Sequence, residues 1–146
     1  MSLDLKNLLK GDLNGKLGSV SSDVVLANKV VAVYFSAHWC PPCRNFTPML
    51  KEFYNELISM GASFEIVFVS SDNSQQSFNE YYEIMPWLAV PYGDDRIKKL
   101  KSAAGIQGIP TLIFVDSNSG KVLHEDQDGT DIVYEGNMNL VLDWTL

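Results

Sequence analysis

The sequence is poor in cysteine, in basic residues and in long apolar runs. Its 146 residues include two cysteines, and 18 acidic residues outnumber 11 basic ones, for a formal net charge of -7. A negative surface repels nucleic-acid phosphates and anionic lipids, so we expect neither nucleic acid nor membrane as a partner. No apolar stretch is long enough to span a bilayer, and the start, Met1-Ser2-Leu3-Asp4, lacks the basic and then apolar order of a secretory signal. We therefore expect a cytoplasmic protein, with the nucleus as the alternative.

The chain shows no repeat, linker or low-complexity tract that would divide it. A hydrophobic content of 46% over 146 residues is ordinary for one buried core. We therefore predict a single domain over residues 1–146, and we expect a monomer.

Both cysteines belong to one motif, Trp39-Cys40-Pro41-Pro42-Cys43, where an extended run gives way to a helical pattern. A lone structural disulfide is not expected in a reducing compartment, whereas two thiols separated by two residues are typical of a redox pair. The free N–H groups and the positive dipole end of a helix start favour a thiolate there. We predict that Cys40, at the exposed helix start, is the attacking thiolate and that Cys43, one turn further and more buried, is the resolving thiol. No cofactor is expected beyond the reversible Cys40–Cys43 disulfide.

Strands and helices are predicted to alternate along the chain. The run from Val30 to Phe35 is nearly continuous and β-branched, as in a central strand covered on both faces. After the cysteines, apolar residues at steps of three and four predict a helix of about four turns that ends at Gly61, and Pro48 predicts a kink near Asn45. The other predicted elements are a short helix over Leu3 to Leu9, a hairpin turning at Asn14-Gly15, a strand over Phe64 to Val69, a helix over Ser74 to Met85, a short strand over Trp87 to Val90, a helix from Asp94 or Asp95 to Ala104, a hairpin of Thr111 to Val115 with Lys121 to Glu125, and a docking helix with Leu140, Val141 and Trp144.

Three segments together resemble the tryparedoxin and nucleoredoxin branch of the thioredoxin superfamily. They are Phe35 to Arg44 with its Pro-Pro dipeptide, Met85 to Tyr92 with Trp-Leu-Ala-Val-Pro, and Gly108 to Leu112. These features are far more specific than a bare Cys-x-x-Cys, and the match runs from about residue 17 to residue 125. The resemblance implies an α/β thioredoxin fold, in which helices flank a central mixed β-sheet on both faces, here with an N-terminal hairpin extension.

The segment Ile109-Pro110 is a candidate docking edge for substrates. By itself the pattern favours a trans bond before Pro110, but the resemblance implies a cis bond that lies against the cysteines and leaves the preceding backbone free to pair with an extended substrate. Trp39 directly precedes Cys40, so we also assign it to docking rather than to core filling, with Trp87 as a weaker candidate for the same role. The predicted docking set is Trp39, Pro41, Pro42, Ile109 and Pro110.

Three further side chains are candidates for modulating the thiols. A helix dipole contributes at most about 2 kcal/mol to a nearby charge, so deeper activation of Cys40 needs a charged neighbour, and Arg44 or His38 could supply it unless they are simply solvated. Thioredoxins carry a buried acidic residue where this chain has Tyr34. The resemblance suggests that Asp72 takes over its proton role, whereas an aspartate at a strand end is more often a turn or cap residue.

Other interpretations of the cysteines are weaker. A tetrahedral zinc site needs four ligands, and the chain offers only the two cysteines with His38 and His124, so no metal is expected. Haem attachment requires a histidine directly after Cys43, and Arg44 occupies that position.

The sequence thus predicts a thiol-disulfide oxidoreductase that reduces protein disulfides. We expect its electrons to come from a low-molecular-weight dithiol or a flavoprotein reductase, and the resemblance implies peroxiredoxin-type peroxidases as downstream partners. The alternative is a nucleoredoxin-like regulator, in which oxidation of the Cys40–Cys43 pair gates binding to a signalling protein. The residues alone do not choose between these functions.

Overall fold

A six-stranded mixed sheet forms the centre of the computed structural model, which describes residues 1–146. The strands lie in the order β2-β1-β5-β4-β3-β6. β3 pairs in parallel with β4 and antiparallel with β6, while the N-terminal hairpin of β1 and β2 joins the sheet through an antiparallel contact with β5. The strands are β1 Asp12–Gly15, β2 Gly18–Ser21, β3 Val30–Ser36, β4 Phe64–Ser70, β5 Leu88–Ala89 and β6 Thr111–Asp116. This arrangement confirms the predicted mixed sheet and its hairpin extension, but the hairpin turns at Lys16-Leu17 and not at the predicted Asn14-Gly15, which belongs to β1.

Seven helices connect and cover these strands. None of them combines the length and apolarity needed to cross a bilayer. They are α1 Leu5–Leu8, α2 Ser22–Leu26, α3 Pro41–Ser59, α4 Gln75–Glu83, α5 Arg96–Ala104, α6 Gly129–Tyr134 and α7 Met138–Trp144.

β3 divides the hydrophobic core into two layers because successive side chains of a strand point to opposite faces. All seven residues of β3 are buried. Ala32 and Tyr34 belong to a cluster with buried residues of α3, α4, α6 and α7, whereas Val33 and Phe35 belong to a cluster with buried residues of α1, α2 and α5. The nearly continuous apolar run is therefore explained by helices on both faces of the sheet.

The predicted hairpin after β6 is only partly formed. The turn closes with the Asp116 N–H donating to the Lys121 carbonyl at 2.8 Å, but the returning chain makes only isolated bridges. The ring of His124 takes the place of a strand carbonyl, since its Nε2 accepts the Phe114 N–H at 2.9 Å. The prediction of a full strand to Glu125 is therefore wrong.

Most helix boundaries match the predictions closely. The Ser74 hydroxyl caps α4 by accepting the Ser77 N–H, and α3 stays unbroken through Pro48. The predicted kink near Asn45 therefore does not interrupt the helix. The short helices α2 and α6 were not predicted.

Candidate active site

The two prolines explain how α3 begins at the cysteine pair. Cys40 is the N-cap residue, and Pro41 and Pro42 fill the first two helical positions, where an N–H group has no acceptor within the helix. Cys43 thus carries the first free N–H of the helix, which donates to Cys40 Sγ at 3.3 Å. The sulfur of Cys40 therefore occupies the place of the side-chain oxygen in an ordinary helix cap.

Cys40 and Cys43 form a disulfide in the structure, with their Cα atoms 5.2 Å apart. Cys43 is fully buried and Cys40 is 4% exposed. The predicted order of burial is therefore confirmed, but the expectation of an exposed Cys40 is wrong for the oxidised pair. The cover comes from Ala37 and Ile109, which pack against the two cysteines.

The Ile109–Pro110 segment lies beside Cys40. Its peptide bond is cis, as the resemblance implied. The Ile109 carbonyl oxygen is 3.8 Å from Cys40 Sγ, and both Ile109 and Pro110 are partly exposed. A backbone acceptor next to the reactive sulfur can pair with an extended partner segment.

Trp39, Pro41 and Pro42 form the exposed rim around Cys40. Trp39 is 54% exposed, while its indole N–H donates to the Ser71 carbonyl at 3.0 Å. That bond fixes the ring and leaves much of its surface accessible to a partner. Trp87 is 1% exposed and packs edge-on against Tyr34 and Tyr54. Its suggested docking role is therefore wrong, because it fills the core.

Asp72 and Arg44 hold the loop that leads into Cys40. The Asp72 carboxylate accepts the His38 N–H and the Ser70 hydroxyl, each at 2.7 Å, and Arg44 Nη1 donates to the His38 carbonyl at 3.0 Å. Neither side chain forms a hydrogen bond with a cysteine sulfur. Their contacts explain a structural role directly, and the suggested effects on the thiols stay predictions.

Four buried hydroxyls lie behind Cys43, and sequence analysis missed three of them. The Thr47 hydroxyl lies 2.7 Å from the Tyr34 hydroxyl and 2.6 Å from that of Tyr81, which is 2.6 Å from the Ser36 hydroxyl. Thr47 also donates to the Cys43 carbonyl at 3.0 Å. Burial raises the pKa of Tyr34 far above its usual range, so its hydroxyl stays neutral. One signal was available, since Thr47 lies four residues after Cys43 on an apolar helix face.

The two histidines considered for zinc do not form a metal-binding group with the cysteines. His38 stacks on Tyr81 with ring centroids 5.3 Å apart, and both ring nitrogens of His124 already have partners, the Phe114 N–H and the Gln127 carbonyl. The zinc interpretation has no ligand set in this structure.

An acidic groove of about 1160 Å³ opens beside Pro110 and Thr111. It extends from the docking edge toward the start of α6 and gives that side of the site a negative potential. Its carboxylates are those of Glu125, Asp126, Asp128, Asp131 and Glu135.

Comparisons with known proteins agree with this geometry. A family model described as thioredoxin-like matches residues 28–122. Probable nucleoredoxin 1 of Arabidopsis thaliana is 45% identical over 124 residues, which cover 83% of this chain and 22% of that protein. Tryparedoxin of Trypanosoma brucei brucei is 42% identical over 130 residues, which cover 82% of this chain and 88% of that protein. The solved structure of tryparedoxin from Trypanosoma brucei covers 100% of both chains with a TM-score of 0.83 and 36% identity. The chain thus spans about a quarter of the nucleoredoxins that it matches, and most of the tryparedoxin.

Proposed function

Because the chain belongs to the thioredoxin-like family, on the branch that contains nucleoredoxins and tryparedoxins, we propose that it reduces disulfides in partner proteins. The observation that carries this proposal is the position of Cys40 Sγ at the cap of α3. There it accepts the Cys43 N–H at 3.3 Å and lies 3.8 Å from the Ile109 carbonyl. A thiolate at this point is stabilised by the N–H group and the helix start, and a substrate strand has a backbone acceptor beside it.

The reaction proceeds by two thiol-disulfide exchanges. The Cys40 thiolate attacks one sulfur of the target disulfide, forms a mixed disulfide and releases the other target sulfur as a thiolate. Cys43, after losing its proton to solvent, attacks Cys40 Sγ, forms the Cys40–Cys43 disulfide and releases the second target thiolate. Two electrons pass to the target, whose two sulfurs take up protons from solvent.

The oxidised pair must then be reduced by a second donor. We propose a low-molecular-weight dithiol or a flavoprotein reductase, with peroxiredoxin-type peroxidases among the targets. Because this cycle requires a reducing supply, we propose the cytoplasm or nucleus as its setting.

The proposal is tested with single cysteine variants. Cys40→Ser should abolish reduction of insulin disulfides by the protein with dithiothreitol as donor. Cys43→Ser should accumulate mixed disulfides that dithiothreitol releases, since no second thiol resolves them. The double variant Cys40→Ser/Cys43→Ser is the control for noncovalent capture. Full insulin reduction by Cys40→Ser would contradict the proposal.

A second candidate function is redox-dependent regulation, favoured by the 45% identity to a nucleoredoxin. In that case Cys40–Cys43 oxidation gates noncovalent binding to a signalling protein. The double serine variant separates the two functions, because an oxidoreductase loses all function in it. A regulator keeps at least one form that binds its partner.

A further inference from the structure

The buried hydroxyls behind Cys43 form a chain whose hydrogen-bond directions are fixed by counting protons. Each hydroxyl has one proton to donate. Thr47 donates to the Cys43 carbonyl, so Tyr34 and Tyr81 must both donate to the Thr47 oxygen. The Tyr81 oxygen then accepts from Ser36. The chain therefore runs from Ser36 through Tyr81 and Thr47 to Cys43, with every proton directed toward Cys43.

Such an alignment makes the hydroxyl dipoles act together. Hydrogen bonds in series polarise one another, and burial strengthens their field because water does not screen it. All four hydroxyl-bearing residues are buried, and none is more than 1% exposed. Their combined positive end lies at the backbone carbonyl of Cys43, the residue that must lose a proton before it can attack Cys40.

The ionisable groups at this end of α3 come from three elements and two loops. Tyr34 on β3 and Tyr81 on α4 belong to the chain itself. Arg44 lies on the same helix, while His38 and Asp72 lie in the two loops beside it. Arg44 and Asp72 are directed at the backbone of His38, whereas Thr47 donates to the Cys43 carbonyl.

We infer that Thr47 is a positioning residue for the resolving step, holding Cys43 and favouring its ionisation through the oriented hydroxyl chain. This inference rests on the oxidoreductase function proposed above. It assigns Thr47 and Tyr81 no contact with the substrate. Their effect is limited to the second exchange, in which Cys43 attacks Cys40.

A chromogenic disulfide separates that step from the first one. The Cys40 thiolate of the reduced protein attacks 5,5′-dithiobis(2-nitrobenzoate), forms a mixed disulfide and releases one coloured thiolate. Cys43 then loses its proton to solvent and attacks Cys40 Sγ, which releases the second coloured thiolate. Stopped-flow absorbance at several pH values gives the rate of each phase.

Thr47→Val removes the hydroxyl with little change in shape. We expect the second phase to slow about fivefold at neutral pH, the effect of one lost hydrogen bond, and its pH midpoint to move upward. The first phase should stay within about twofold of wild type, because Thr47 acts only on the second exchange. Loss of an ordinary packing contact would not separate the two phases in this way. Thr47→Ser should restore the second phase, and Tyr54→Phe, another buried tyrosine, should leave both phases unchanged.

Tyr81→Phe keeps the inference testable if Thr47→Val does not fold. It removes one donor to Thr47 while Thr47 still donates to Cys43, so a smaller slowing of the second phase is expected. A wild-type second phase in the folded Thr47 variant, or equal slowing of both phases, would overturn the inference. Failure of the first phase in the wild-type protein would instead overturn the proposed function.

Discussion

Replacing Asp72 with asparagine tests whether this carboxylate holds a loop or exchanges protons with Cys43. In the structure one oxygen accepts the His38 N–H and the other accepts the Ser70 hydroxyl, each at 2.7 Å. Asp72 is 8% exposed, so water can do little to replace a lost partner. Asparagine offers one acceptor oxygen and one NH2 group. One of the two donors must therefore lose its acceptor.

The expected loss of stability follows from that single bond. A hydrogen bond to a charged group contributes about 2 kcal/mol. For a chain of 146 residues, the entropy of unfolding is about 0.3 kcal/mol per kelvin. The melting temperature of Asp72→Asn should therefore fall by about 6 °C, while the pH profile of insulin reduction, measured well below that temperature, should keep its shape.

Asp95→Asn is the matched control for this experiment. Asp95 is exposed and its side chain makes no capping hydrogen bond, so the same chemical change should leave the melting temperature almost unaltered. Circular dichroism gives the melting temperatures of both variants. A shifted pH profile in Asp72→Asn at wild-type stability would refute the loop explanation and support the proton role.

Three further substitutions test the docking rim and the charge contacts. Trp39→Ala should lower kcat/KM for insulin about tenfold but not for a small disulfide, since the ring is exposed; equal losses would contradict a docking role. Arg96→Ala removes the guanidinium that ties α5 to the N-terminal segment and should cost about 3 kcal/mol in urea unfolding. The hydrogen bond from Arg96 lowers the pKa of Asp94. The stability that this pair contributes is therefore present above the unfolded pKa of Asp94 and lost as pH falls. The loss of stability in Arg96→Ala should thus shrink in acid. An unchanged deficit at low pH would show that this pair contributes nothing. Burial raises the pKa of Glu65, so its ionisation costs stability once pH exceeds its unfolded value of about 4.3. Glu65→Gln should therefore melt higher at pH 7 but not at pH 4, and a lower melting point at pH 7 would contradict this.

The parts of the fold that were predictable are those with strong local patterns. β3 needs apolar side chains on both faces because helices cover both, so its sequence is continuous and β-branched. α3 is long enough for its apolar period to be clear. By contrast, the five residues of α2 and the six of α6 span too few turns to show a period. The strand predicted to end at Glu125 does not form because the His124 side chain accepts the Phe114 N–H in place of a strand carbonyl. The alternation of apolar and polar residues gives no sign of such a side-chain contact.

The parts of the candidate site that could be predicted are those whose residues are neighbours in the sequence. Cys40 and Cys43 lie in one motif, and the cis bond before Pro110 followed from family resemblance. The hydroxyl chain could not be found in this way, because Thr47 and Tyr81 come from separate helices. In the sequence of its own helix, each residue has the pattern of an ordinary core position. Only the packing of α4 and α3 against the same face of β3 shows that their hydroxyls meet.

Pro41 and Pro42 affect the balance between the dithiol and the disulfide, because they change the number of N–H donors at the helix start. An ordinary helix start would offer the Cys40 sulfur several free N–H groups, but Pro41 and Pro42 have none, so Cys43 supplies the one backbone hydrogen bond that the sulfur receives. Fewer donors stabilise the thiolate less. A dithiol whose reduced form is strongly stabilised is an oxidant, as the low thiol pKa and high potential of DsbA show. By removing donors, the proline pair should favour the disulfide over the dithiol, which is the direction that the proposed reduction of partner proteins requires.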